Sequence, residues 1–172
     1  MRCSQILLVL VFLTAPAAAS GQQLVPATIR EQVVTRGARD ALSEISSDPK
    51  QWAYVLSQIE TGNADWVGAA IVLRPASDGG AASELDDSMF VALRRAPETV
   101  LLQAIPVFSL TVVCGGRGDP LPSFEQAIDE VDTTEAAVSS VERPSLADKR
   151  RECLSALRQS REHLRRFLGR TP

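Results

Sequence analysis

The chain has 172 residues, and its 18 basic and 21 acidic side chains give a formal net charge of −3 at neutral pH. This length suits one domain with a core of its own, and a slightly acidic chain is a poor electrostatic match for nucleic acid. Three cysteines and one histidine lack the spacing of a metal site, so neither a metal nor a cofactor is predicted.

The first nineteen residues have the layout of a secretory signal peptide. A basic residue near the start precedes an unbroken apolar run at residues 6–13, and residues 17–19 are alanines. This pattern predicts cleavage between Ala19 and Ser20. The apolar run is shorter than the about 20 residues of a membrane-spanning helix. We therefore expect a mature chain of residues 20–172 that is periplasmic or secreted and has no transmembrane anchor.

Short amphipathic helices are predicted from the start of the mature chain onward. After a flexible lead over residues 20–27, apolar residues at helical spacing predict a first helix over about residues 28–45. Asp48 followed by Pro49 is typical of the N-cap and first turn of a second helix. Gly62 favours the left-handed conformation that ends this helix.

Three further helices are predicted in the middle of the chain. Asn63 is a suitable N-cap for the third helix, which runs until Pro75. Ser83 with Asp86 three residues later resembles a capping box and predicts the start of the fourth helix. Pro97 favours the start of a fifth.

The C-terminal third contains a capping box and a basic helix. The β-branched cluster at residues 110–113 is almost the only strand signal in the chain. Ser123 with Gln126 is a capping box, and it predicts a sixth helix that reaches as far as Val141. The last predicted helix covers residues 145–168.

Together these elements predict an all-α fold with a single domain over residues 28–172. About seven short helices joined by short loops are expected to pack as antiparallel neighbours, and the last helix is the longest. No sheet is expected, because strand signals are almost absent.

A faint internal repeat lies in the first half of this domain. Residues 54–56 are followed by a Gly turn and Trp66, and residues 91–93 are followed by a Pro turn and Val100. Over residues 48–110 this arrangement resembles the two-helix unit of HEAT-like and armadillo-like repeats. The resemblance implies a short helical-repeat array that binds other proteins rather than one that performs chemistry.

Two cysteines remain after removal of the signal peptide. In an oxidising compartment an isolated pair usually forms a disulfide, so we expect a bond between Cys114 and Cys153. Such a bond ties the last helix to the middle of the domain. A reactive thiol or half of a metal site is the alternative.

Charge is unevenly distributed along the mature chain. Residues 145–172 hold eight basic and three acidic residues, whereas residues 20–144 hold nine basic and eighteen acidic. One interpretation is that the basic helix docks on an acidic body through ion pairs. The other is that it binds an anionic envelope component or an acidic protein. The candidate partner-binding residues are Arg158, Arg161, Arg165 and Arg166.

Two tryptophans flank the Gly62 turn. Trp52 and Trp66 are predicted on adjacent helices, where aromatic residues at helical spacing favour a place in the core. The alternative is that they expose an aromatic groove for a peptide or a glycan, so both are also candidate partner-binding residues.

No catalytic residue is predicted. His163 is the only histidine and lies among arginines, and the glycine-rich stretch 115–118 lacks the residues of a phosphate loop. Two carboxylate clusters leave open a small enzyme that acts on the cell wall or on lipids. Those carboxylates are Asp86, Asp87, Asp129, Glu130 and Asp132.

The sequence therefore favours an exported, non-enzymatic helical module that binds another macromolecule in the cell envelope. An adaptor, an inhibitor or an immunity-type protein fits this description equally well. The alternatives are the small enzyme and a carrier that holds an apolar ligand between its helices.

Overall fold

The computed structural model describes residues 24–117 and 123–168. These residues form an all-α domain that contains no strand within the two ranges. The predicted signal peptide and its cleavage site lie outside them. The α-helices are α1 Pro26–Arg36, α2 Ala38–Ser47, α3 Pro49–Ile59, α4 Ala64–Leu73, α5 Gly79–Arg95, α6 Pro97–Gln103, α7 Leu110–Val113, α8 Phe124–Ser139 and α9 Ala147–Leu168. Two 3-10 turns, Arg74–Ala76 and Pro144–Leu146, precede α5 and α9.

The prediction of a single helix over residues 28–45 is wrong, because the helix is interrupted at Gly37. This residue has φ +89°, a conformation that glycine adopts without steric cost. Its N–H donates to the carbonyl of Val33 and ends α1. The break lets α1 and α2 each pack an apolar side against α4, where Ile29 and Ile45 are buried. Helix α1 begins at Pro26, inside the predicted lead.

The hairpin of α3 and α4 forms as its capping residues predict. The Asp48 side chain accepts hydrogen bonds from the backbone N–H groups of residues 50 and 51. The Asn63 side chain accepts from those of residues 65 and 66. Between the two helices Gly62 has φ +74°, the left-handed conformation expected at the end of α3.

The α3–α4 pair stacks on the α5–α6 pair. Helix α3 contacts α5 and helix α4 contacts α6. Consecutive hairpins of helical-repeat proteins pack in this way, with first helices in one layer and second helices in another. Buried Phe90, Leu93 and Leu101 lie in this part of the core.

Helix α5 starts four residues earlier than its predicted capping box. Its N-terminal residue is Gly79, and the Ser83 hydroxyl donates back to the Gly79 carbonyl instead of capping a new helix. Asp86, the predicted partner in the box, forms an ion pair with Arg74. The predicted capping box is therefore wrong. Asp86 pairs with Arg74 and does not cap the start of a helix at Ser83.

Residues 110–113 form the short helix α7, and the domain thus has nine α-helices in its described part rather than about seven. Helix α7 contacts α5 and α9. Directly after it, the sulfur atoms of Cys114 and Cys153 lie 2.08 Å apart, which is the bonding distance of the predicted disulfide. Both cysteines are fully buried.

The two longest C-terminal helices, α8 and α9, run antiparallel. The start of α8 contacts the end of α9. The end of α8 contacts the middle of α9. The three pairs are Phe124 with Phe167, Asp132 with Arg161, and Glu135 with Arg158. Among the described helices, none combines the length and the hydropathy required to cross a membrane.

Candidate functional site

A cleft opens on the surface where α2, α3 and α5 meet. Its volume is about 510 Å³, and it is open to solvent on one side. Most of its wall is apolar. The lining residues are Ser46, Pro49, Trp52, Ala53, Leu56, Gly80, Ala81 and Glu84.

Local sequence explains which side chains each wall of this cleft presents. Pro49, Trp52, Ala53 and Leu56 follow the three- and four-residue spacing of one helical face, so they line one side of α3. The opposite wall is the first turn of α5, where small residues keep the space open. A Cβ atom placed on Gly80 would meet nothing within 4 Å.

Trp52 and Glu84 join the two walls. The Trp52 side chain is 7% exposed, and its Nε1–H donates a hydrogen bond to Oε2 of Glu84 at 2.5 Å. A buried indole usually finds such an acceptor, because an unpaired N–H is costly. The bond fixes an exposed carboxylate at the edge of an apolar cleft.

The two candidate tryptophans lie in different environments. Trp66 is 8% exposed and contacts Tyr54 edge-on, with 5.8 Å between ring centroids. Both tryptophans belong to the hydrophobic core, and Trp66 is not among the residues that line the cleft. Trp52 is the one of the two that contributes to this cleft.

Two of the four candidate arginines hold α9 on α8. Arg158 donates to Glu135 at 2.7 Å. Arg161 lies 2.9 Å from Asp132 and 2.8 Å from Glu135. The hydrogen bond to Asp132 raises the pKa of Arg161 above its ordinary value, and the charge of Glu135 adds to this effect. These contacts are the ion pairs expected if the basic helix docks on an acidic body.

The other two arginines are exposed near the end of α9. Arg166 pairs with Glu162 one turn earlier, and this contact lowers the pKa of Glu162. Arg165 has no acidic partner among the residues that the structure describes. Phe167 also lies here, and His163 contacts it edge-on with 4.8 Å between ring centroids.

The candidate catalytic carboxylates are mostly engaged by arginines. Arg74 donates to both oxygens of Asp86 at 2.9 Å, and its guanidinium lies 5.7 Å from the centre of the Phe108 ring. Glu130 lies 3.7 Å from Arg94 and is also close to a second arginine. Both carboxylates are therefore engaged in ion pairs within the fold.

The remaining acidic candidates lie on α5 and α8. Asp132 pairs with Arg161, Asp87 is buried on α5, and Asp129 is exposed on α8. Within residues 24–117 and 123–168, no group of three histidine, cysteine or acidic side chains is arranged to hold a metal ion.

Comparison of the chain with protein-family models, curated proteins and solved structures gave no match. The case for a function therefore depends on the geometry of the candidate surfaces. Sequence reasoning found Trp52 but missed Glu84 and Gly80. Their part in the cleft depends on how α5 lies against α3, and no local pattern encodes that placement.

Proposed function

We propose that the protein is an exported, non-enzymatic helical module that binds another macromolecule of the cell envelope through the cleft at Trp52. An adaptor, an inhibitor and an immunity-type protein are the kinds of protein that work in this way. The cleft is the observation that supports the proposal. It combines apolar walls with one oriented polar group, the usual composition of a recognition site.

The cleft is a better candidate than the basic helix. Arg158 and Arg161 use their charges to hold α8, so a partner would have to compete with Asp132 and Glu135 for them. Arg165 remains as an exposed charge without an acidic partner in the described ranges, and one such charge is weak evidence for a surface.

Export is the second part of the proposal. It is supported by the signal-peptide pattern of residues 1–19. The partner is therefore expected in the periplasm or outside the cell.

An affinity capture with matched variants tests the proposed site. Purified protein is immobilised and exposed to an envelope extract. Ala53→Trp fills the cleft, and Ala136→Trp places the same bulk on the exposed side of α8. We expect the native protein and Ala136→Trp to retain the same partner, and Ala53→Trp to lose it.

A variant at the end of α9 tests whether the basic helix, rather than the cleft, binds the partner. Arg165→Glu with Arg166→Glu reverses the exposed charges near the end of α9 without removing the contacts of Arg158 and Arg161. Retention of the partner by this variant supports the cleft. Loss of the partner from the tail variant, together with retention by Ala53→Trp, would transfer the function to the basic helix.

A further inference from the structure

We propose that the cleft binds a peptide segment in which a large apolar side chain lies next to a lysine or an arginine. This inference rests on the proposed function and adds the chemistry of the bound segment. Three features of the cleft support it: its charge, its apolar volume and the backbone donors of α5.

The charge at the cleft is negative and fixed in place. Glu84 is the one ionisable residue among the eight that line the cleft. One of its oxygens accepts the Trp52 indole proton, and no cation of the described chain forms an ion pair with it. An exposed carboxylate that is already oriented favours a cationic group on the ligand, because less side-chain freedom is lost on binding.

The apolar walls fit the rest of such a segment. A cavity of about 510 Å³ lies in the range that holds small ligands, roughly 300–1,000 Å³. Leu56, Ala53 and Pro49 offer aliphatic surface, and Trp52 adds an aromatic one. Lysine and arginine have methylene stems that cover apolar surface while their charged ends reach a carboxylate. One apolar side chain and one such stem therefore match the walls and the carboxylate together.

The first turn of α5 supplies a reason to expect a peptide. The N–H groups of Gly80 and Ala81 have no partner within the helix, and the N-cap residue Asp78 makes no side-chain hydrogen bond to them. Because Gly80 has no Cβ atom and open space beside it, another backbone can approach closely. These donors suit the carbonyl oxygens of an extended chain, whereas an alkyl chain would leave them unused.

The Trp52 indole signal in a ¹H–¹⁵N NMR spectrum provides a local test. The protein has two tryptophans, so a Trp66→Phe variant assigns the two indole signals. Four blocked peptides are titrated, with the sequences Gly-Phe-Arg-Gly, Gly-Phe-Gln-Gly, Gly-Phe-Glu-Gly and Gly-Ala-Arg-Gly. We expect Gly-Phe-Arg-Gly to shift the Trp52 signal and to bind about three- to tenfold more tightly than each of the others.

Two carboxylate variants test how much the charge of Glu84 contributes to binding. Glu84→Gln should remove the preference for Gly-Phe-Arg-Gly over Gly-Phe-Gln-Gly. Glu142→Gln changes an exposed carboxylate away from the cleft and should leave that preference intact. Equal binding of the Arg and Gln peptides to the native protein would overturn the inference and leave the cleft as a binding site.

The remaining outcomes are also decisive. If dodecyltrimethylammonium shifts the Trp52 signal and none of the peptides does, the occupant is an alkyl cation rather than a peptide, and the inference is wrong. If no probe shifts the signal at millimolar concentration, the inference is wrong for peptides of this class. The capture experiment with Ala53→Trp then decides separately whether the cleft binds any partner.

Discussion

Gly62 offers a quantitative test of how the two helical hairpins pack. Its φ of +74° costs a residue with a side chain about 1–2 kcal/mol. A Cβ atom at this position would also lie 2.5 Å from the Cβ of Ala96 and 3.3 Å from the carbonyl oxygen of Ala92. Overpacking of this kind costs about 1–3 kcal/mol. We therefore expect Gly62→Ala to lower the free energy of unfolding by about 2–5 kcal/mol.

Two further variants separate these contributions. Gly62→Ala carries both costs, whereas the double variant Gly62→Ala with Ala96→Gly keeps the backbone cost alone. Ala96→Gly removes the atom that collides with the new side chain. In the double variant, we expect the loss relative to Ala96→Gly alone to fall to about 1–2 kcal/mol, the cost of the left-handed backbone.

Urea unfolding followed by far-UV circular dichroism supplies these free energies. The comparison is valid if the dependence on urea is the same for all variants, since that slope reports the surface exposed on unfolding. A loss below about 2 kcal/mol for Gly62→Ala itself would refute the reasoning. Failure of Ala96→Gly to recover stability would do the same, because the turn between α3 and α4 would then not lie against the end of α5.

Three more predictions concern the covalent link, the C-terminal hairpin and export. Replacing Cys114 and Cys153 together by alanine should lower the free energy of unfolding by about 3–4 kcal/mol, given a sequence separation of 39 residues. An unchanged urea midpoint would show that the cysteines are not bonded in the purified protein. Glu135→Gln should cost about 1–3 kcal/mol, since it weakens the hydrogen bond from Arg158 and removes the ion pair with Arg161 at a carboxylate that is 15% exposed. Glu142→Gln is the matched control and should leave the melting temperature within about one degree, in line with an exposed substitution. N-terminal sequencing of the exported protein should begin at Ser20, and an intact N-terminus would exclude the proposed cleavage.

Several elements could be predicted because one local interaction decides them. Asp48 and Asn63 accept hydrogen bonds from the first turns of α3 and α4, and Ser123 accepts one from the N–H of Gln126 at the start of α8. Gly62 needs a positive φ that other residues avoid. In each case the residues that interact lie within one turn of each other.

Other elements could not be predicted because distant residues decide them. Asp86 leaves its expected capping role since Arg74 offers two hydrogen bonds. Helix α7 consists of residues that usually favour strands, yet it packs between α5 and α9 beside Cys114. The single helix predicted over residues 28–45 is interrupted at Gly37, and the two helices that result both contact α4.

The same distinction holds for the candidate site. Trp52 and Trp66 both lie on helices that the sequence predicts, and the position of α5 determines that Trp52 lines the cleft. The uneven charge of the chain indicated an attraction between its two parts. It did not indicate which arginines would pair, because that depends on the antiparallel register of α8 and α9.

Site-specific photo-crosslinking in intact cells tests the central claim, that the cleft at Trp52 is the binding surface. A benzophenone amino acid is incorporated at position 53 in the cleft or at position 136 on α8, and the products are compared after irradiation. The proposed function predicts a crosslinked envelope protein from position 53 that is absent from position 136. The same product from both positions, or a product from position 136 alone, would contradict it.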